Sequence, residues 1–292
     1  MDELELPLTQ SVAFERTCEK LGVNVLRVSH AGGTCLVQSR RLPVIGAFHL
    51  ISRGPVLGGE SANRILNDIR QRLKGALVVN AADDQTPVGG VKIAKGAEVS
   101  SVCLEAPDVM RQRLHQKWRN QLKKSEASPL IILDQPLDPL RHKWFLEAET
   151  AQQKSQRYKS YPAGFLLAYA AANKGQARLY TAMLNDRPVA GMLALRHGRM
   201  ATYQAGVTTP EGRQHCAHNL LLWTMMCDLQ RRRTTRLDLG RSDLSPGLAH
   251  FKRGCGARTK RLAGSFLYHH WFAPKERPDS QATTTSNVPV EA

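Results

Sequence analysis

Residues 177–239 constrain the fold more tightly than any other stretch of the chain. Apolar runs over 177–184, 189–195 and 200–206 read as three strands. The turns between them, Asn185-Asp186-Arg187-Pro188 and His197-Gly198-Arg199, have room only for hairpins. This antiparallel meander leads through a loop into an apolar helix over 216–230 and then a further strand at 236–239. Such an order predicts an α/β (α+β) fold, with a mixed, largely antiparallel sheet flanked by helices.

The first hundred residues carry a coarser version of the same order. A short helix ends at Gly22, and strands are expected at 23–28, 34–38 and 44–51. A helix over 61–74 follows, with Ile65, Leu66, Ile69 and Leu73 on one side, and then strands at 76–79 and 97–104. Between the two meanders, Pro107 opens a long helix expected to run to Lys124. Met110, Leu114, Trp118 and Leu122 form its apolar stripe. A strand at 130–133, helices at 140–154 and 162–173 and a last strand at 264–268 complete the reading. The expected organisation is a first half over 1–106, a second over 107–272, and a disordered Pro-, Thr- and Ser-rich tail over 273–292.

Charge bears on the ligand. Lys and Arg total 41 against 25 Asp and Glu, a net charge of +16, and such a field attracts phosphorylated ligands, nucleic acid or an anionic membrane surface. The helix 107–124 holds six Lys or Arg and no acid between Arg111 and Lys124. Exposed helices ordinarily mix signs, so this face is a candidate for meeting an anion. Six scattered cysteines with no C-x-x-C pair favour neither a disulfide framework nor a metal site, and no metal is expected. No apolar run approaches the roughly 20 residues that span a bilayer. The acidic N-terminus does not read as a secretory signal, so a cytoplasmic location is expected.

The loop 211–219 ends at a helix N-terminus, where free N–H groups and the helix dipole favour phosphate, and Arg213 adds a cation. Arg213, Ala217, His218 and Asn219 are therefore the candidate residues for binding the phosphates of a cofactor. Downstream, Asp238 lies in an apolar strand and needs a partner if it turns inward. Gly254-Cys255-Gly256 suggests tight turns or a close approach.

Three segments together resemble a known family. Lys117-Trp118-Arg119-Asn120-Gln121-Leu122, Leu237-Asp238-Leu239-Gly240 and the run from Gly247 to Gly256 look like the K-W-R-N-x-L, D-L-G and G-L-x-x-F-K-x-G-x-G signatures of the FemAB-like (BioF2-like) branch of the GNAT acyltransferases. The resemblance covers about residues 107–270 and makes 1–106 a degenerate first GNAT-like half. It implies direct attack of an amine on a thioester or ester carbonyl, with acyl-CoA, an acyl carrier protein or aminoacyl-tRNA as donor. By motif, Lys252, Asp238 and His250 become the candidate catalytic residues. Lys252 would stabilise the oxyanion, and Glu147, Glu149, Asp243 and His250 are candidate bases. Lys117, Arg119, Tyr203 and Arg241 become candidate substrate-binding residues. The usual Q/R-x-x-G-x-G/A pyrophosphate loop is not matched at Arg213-Gln214-His215-Cys216-Ala217-His218, where both glycines are missing. Three readings follow: acyl-thioester-dependent N-acyl transfer, aminoacyl-tRNA-dependent transfer, and a basic binding module without catalysis. Peripheral contact with an anionic membrane is compatible with each.

Overall fold

The computed structural model describes residues 5–30, 32–57, 62–82 and 90–268. The elements, in chain order, are α1 (Val12–Lys20), β1 (Asn24–His30), β2 (Gly33–Leu42), β3 (Gly46–Ser52), β4 (Val56–Leu57), α2 (Ala62–Arg72), β5 (Ala76–Asn80), β6 (Val91–Lys95) and β7 (Glu98–Cys103). They continue with α3 (Pro107–Gln112), α4 (Gln116–Glu126), β8 (Ile131–Pro136), α5 (Lys143–Gln156), α6 (Ala163–Ala172), β9 (Ala177–Leu184), β10 (Arg187–His197) and β11 (Met200–Thr208). The last are α7 (Pro210–Gln214), α8 (Ala217–Arg231), β12 (Arg236–Arg241), α9 (Pro246–Gly254), β13 (Arg258–Arg261) and β14 (Gly264–Tyr268).

The strands form two sheets built to one plan. The first has the order β1-β2-β3-β5-β14-β6, with β4 on β2; the second has the order β13-β7-β12-β11-β10-β9-β8. In each, a meander (β1-β2-β3 or β9-β10-β11) passes through a helix (α2 or α8) to a strand parallel to the meander's third member, β5 on β3 and β12 on β11. The next position is antiparallel and is filled from the other half of the chain: β14 beside β5, and β7 beside β12. The two halves of the chain therefore exchange strands across residue 106.

Burial follows from strand alternation. On one face of the second sheet, Tyr180, Met192, Ala194, Leu237 and Leu239 pack against Trp118 and Leu122 of α4 and Leu221 and Met225 of α8. On the other, Leu179, Leu193, Ala205 and Val207 meet Phe145 of α5, Leu166 of α6 and Phe14 of α1, which ties the first half to the second. The first sheet has its own core of Val37, Ile51, Leu77 and Val79 under Ile65 and Ile69 of α2.

The continuous helix expected over 107–124 is instead two, α3 and α4. His115 adopts extended geometry at the N-cap of α4, and its N–H donates to the Gly254 carbonyl at 2.9 Å. Arg119 turns back to donate to the carbonyls of Gln112 and Leu114 at 3.1 and 3.0 Å, which compensates the broken ladder. All four stripe residues stay buried despite the break. The cationic run is also less free than its sequence suggests: Arg111 pairs with Glu126 and Arg113 with Glu105. Lys117 and Lys124 keep no ion-pair partner among the described residues. β6, β13 and α9 were not anticipated, and the strand expected at 44–51 begins at Gly46 after a turn. The expected tail 273–292 and the helix start at residue 61 lie outside the described residues.

Candidate active site

β11 and β12 pair in parallel over three rungs only, Met200↔Arg236, Ala201↔Leu237 and Thr202↔Asp238. β11 then runs on to Thr208 and β12 to Arg241 without meeting. Each strand has an irregularity just past the last rung. Against β10, the register of β11 shifts between Tyr203 and Ala205; against β7, the register of β12 shifts between Asp238 and Gly240. A bulge bends and twists its strand, so a bulge on each side of a parallel pair opens a fork. The Asp-Leu-Gly segment is the device on β12. Asp238 Oδ1 accepts from Gly240 N at 2.7 Å, and Gly240 has φ +71, a conformation that favours glycine.

The buried Asp238 carboxylate also pairs with Arg53, which follows β3 in the first half. Beyond the fork, Lys252 of α9 reaches the free end of β12. Its side chain is 3% exposed, and Nζ donates to the Arg241 carbonyl at 2.6 Å. Burial pushes the ammonium down to about 8, and the nearby Asp238 carboxylate opposes that fall. The group is thus a poorly solvated cation held where the two strands part.

A cleft of about 260 Å³ lies between α4, α8 and α9, on the face of the sheet that carries Leu237 and Leu239. Its floor is the first turn of α8. Cys216, the N-cap, is left-handed (φ +53) and offers no side-chain cap; the Asn219 N–H donates to the Cys216 carbonyl at 2.9 Å, which leaves the N–H groups of Ala217 and His218 for an anion. Arg213 of α7 stands at its edge, and Trp118 and Phe251 form an apolar wall. Gly254 makes that wall possible, because a Cβ there would lie 2.7 Å from Trp118 Cδ1. At the rim, the rings of His115 and His250 meet edge-on, with centroids 6.4 Å apart. His218 Nε2 lies 3.0 Å from the Val207 carbonyl; a carbonyl only accepts, so Nε2 carries the proton. Burial lowers this imidazole's pKa and keeps it neutral.

The acetyltransferase (GNAT) domain family matches residues 110–253. Among solved structures, FemX superposes with a TM-score of 0.72 at 15% identity over 90% of this chain and 92% of that one. The C-terminal DUF2156 domain assigned to a lysylphosphatidylglycerol synthetase from Agrobacterium fabrum gives 0.57 at 12% identity, covering 88% of this chain and 86% of that one. L-PGS from Bacillus licheniformis gives 0.55 at 13% identity, covering 89% and 88%. No curated protein matches the chain in sequence. The chain shares its fold with FemX.

The cleft brings together Arg213, Ala217, His218, Asn219 and His250. Lys252, Asp238 and Arg241 are grouped separately at the fork. Arg241 is exposed and pairs with Asp243 at 2.9 Å, while its carbonyl receives Lys252. Tyr203 sits in the β11 bulge, packed so closely on Gly206 that a Cβ there would strike its hydroxyl; burial raises its pKa. Lys117 is exposed on α4 next to the cleft residue Trp118, and Arg119 is committed to the carbonyls of Gln112 and Leu114. Of the candidate bases, Glu147 is exposed beside Lys143, and Asp243 is held by Arg241. Glu149 is buried away from this cleft, bonded to the Tyr158 hydroxyl at 2.9 Å, and burial raises its pKa. Only His250 lines the cleft. Sequence reasoning missed Arg53, whose segment Arg53-Gly54-Pro55 reads merely as the end of a strand. It also missed His115, hidden within an apparently continuous helix.

Proposed function

We propose that the protein is an N-acyltransferase in which an amine attacks the carbonyl of an acyl thioester directly. The observation that carries this reading is the bulged fork between β11 and β12 with the uncapped α8 N-terminus beside it. A donor's phosphates would rest on the α8 turn and Arg213, and its acyl arm would run along the Trp118 and Phe251 wall toward the fork. There the Lys252 ammonium, freed from the Arg241 carbonyl, would stabilise the oxyanion as the amine nitrogen bonds to carbon. His250, exposed at the rim, would take the amine's proton, and the C–S bond would break to release a thiol. Asp238 would act by holding the fork and the local field, not by touching substrate. An acyl-CoA donor and a cytoplasmic setting follow from this reading.

A second donor, aminoacyl-tRNA, is favoured by one specific observation. Lys117 and Lys124 are exposed on α4, the helix that walls the cleft, with no ion-pair partner among the described residues, and two of the structural neighbours carry the name lysylphosphatidylglycerol synthetase or L-PGS. Thermal-shift measurements with acetyl-CoA, a long-chain acyl-CoA and bulk tRNA, each at low and high salt, separate the two. A stabilisation by acyl-CoA that Arg213→Ala removes supports the thioester donor. A strongly salt-dependent shift with tRNA alone transfers the reading to aminoacyl transfer. No shift with any of the three favours an acyl carrier protein as donor or a basic module without this chemistry.

A further inference from the structure

A second chamber, of about 280 Å³, lies on the opposite face of the second sheet from the donor cleft. Its floor is set by strand register. Leu237, Leu239 and Val102 point into the core beneath α4 and α8, so Arg236, Asp238 and Ser101 point the other way. Lys260 of β13 stands opposite Val99 and joins this face. Glu5 and Arg53 of the first half close the chamber from above.

The charges divide unequally. Both carboxylates are already satisfied: Glu5 accepts from Arg236 Nε at 2.6 Å and Thr235 Oγ1 at 2.8 Å, and Asp238 accepts from Arg53 and Gly240. The donors are not all used. Arg53 Nε is buried with no hydrogen-bond partner. Neither the Lys260 ammonium nor the Ser101 hydroxyl has a hydrogen-bond or ion-pair partner among the described residues. Unused donors, one of them a buried guanidinium N–H, are costly unless an acceptor meets them. With Arg53 and Arg236 neutralised by their partners, Lys260 leaves the chamber with a net positive charge.

We infer that this chamber is a binding site for an oxyanion, a phosphate or carboxylate group, held by Lys260, Ser101 and Arg53. If the proposed acyl transfer is right, that group belongs to the acceptor, because Asp238 sits both in the chamber and at the last rung of the fork. The acceptor's anionic group would then lie on one face of the sheet, with its amine reaching through the fork to the thioester and His250 on the other.

The test is calorimetric titration of the full chain with inorganic phosphate and, separately, with succinate, at constant ionic strength. Lys260→Ala and Ser101→Ala are compared with Arg213→Ala, which alters the donor cleft instead. Lys260 is exposed and unpaired, so its replacement leaves the fold intact. Saturable binding that weakens about tenfold in Lys260→Ala and falls in Ser101→Ala, but is unchanged in Arg213→Ala, is expected. Preference for phosphate or for succinate identifies the group. No saturable binding of either, or binding lost only in Arg213→Ala, overturns the assignment. Titrating acetyl-CoA into the same samples keeps the two readings apart. Phosphate bound at Lys260 without acetyl-CoA binding would remove the acyl-CoA donor and leave the anion site standing.

Discussion

Lys252→Met should stabilise the protein while disabling it. The fold lowers this ammonium from an ordinary 10.5 to about 8, so holding the charge at neutral pH costs about 3 kcal/mol relative to the neutral amine. Methionine fills a similar volume without the charge. Its own cost is the Arg241 carbonyl, left without the 2.6 Å bond, at about 1–3 kcal/mol. The net expectation at pH 7 is a gain of about 1 kcal/mol. The pH dependence has a definite sign. Because the folded pKa lies below the unfolded one, the unfolded chain binds more protons between about 8 and 10.5, and wild-type stability rises with pH in that window. The mutant lacks this rise, so by pH 9.5 the comparison should move by about 2 kcal/mol in favour of the wild type. Urea denaturation at pH 7 and 9.5 measures both, and a transfer assay should show turnover reduced about 10²- to 10³-fold. A mutant clearly less stable at pH 7, with a deficit that does not change at pH 9.5, would refute the reasoning.

Three further outcomes follow from the same geometry. Arg53→Met strips the partner from the buried Asp238 carboxylate and should destabilise the chain by about 3–5 kcal/mol, whereas Arg53→Met with Asp238→Asn should recover much of that; denaturant midpoints decide it. Gly254→Ala drives a methyl group into Trp118 and should cost about 1–3 kcal/mol and weaken donor binding together, as read by thermal unfolding and titration. His250→Gln should lower turnover about 10²- to 10⁴-fold in a transfer assay with little change in donor affinity, because it removes the proposed base at the cleft rim without touching the α8 turn.

What could be read from the sequence was what hydrophobic period and turn chemistry record. The meander 177–206, the helix after it and the strand at 236–239 are local patterns, and each appears near its expected place. The residues that line the cleft at Arg213, Ala217, His218 and Asn219 were legible because they cluster at one helix N-terminus. The fork was only half legible: Asp-Leu-Gly marks the bulge on β12, but its match on β11 depends on the register against β10, which no local pattern encodes. Arg53 was invisible because its partner Asp238 lies 185 residues away. The exchange of β7 and β14 between sheets is likewise a pairing choice, made by contacts distant in sequence. The break at His115 was hidden because the apolar stripe continues across it, and only the Gly254 carbonyl and the returning Arg119 show why the helix restarts.

The most direct test of the central claim is calorimetric titration of acetyl-CoA into the wild-type chain and into Arg213→Ala. The account predicts saturable one-to-one binding to the wild type, weakened about tenfold when the cation beside the α8 turn is removed. Absence of binding, or binding of equal strength to both proteins, would contradict a thioester donor seated at that turn.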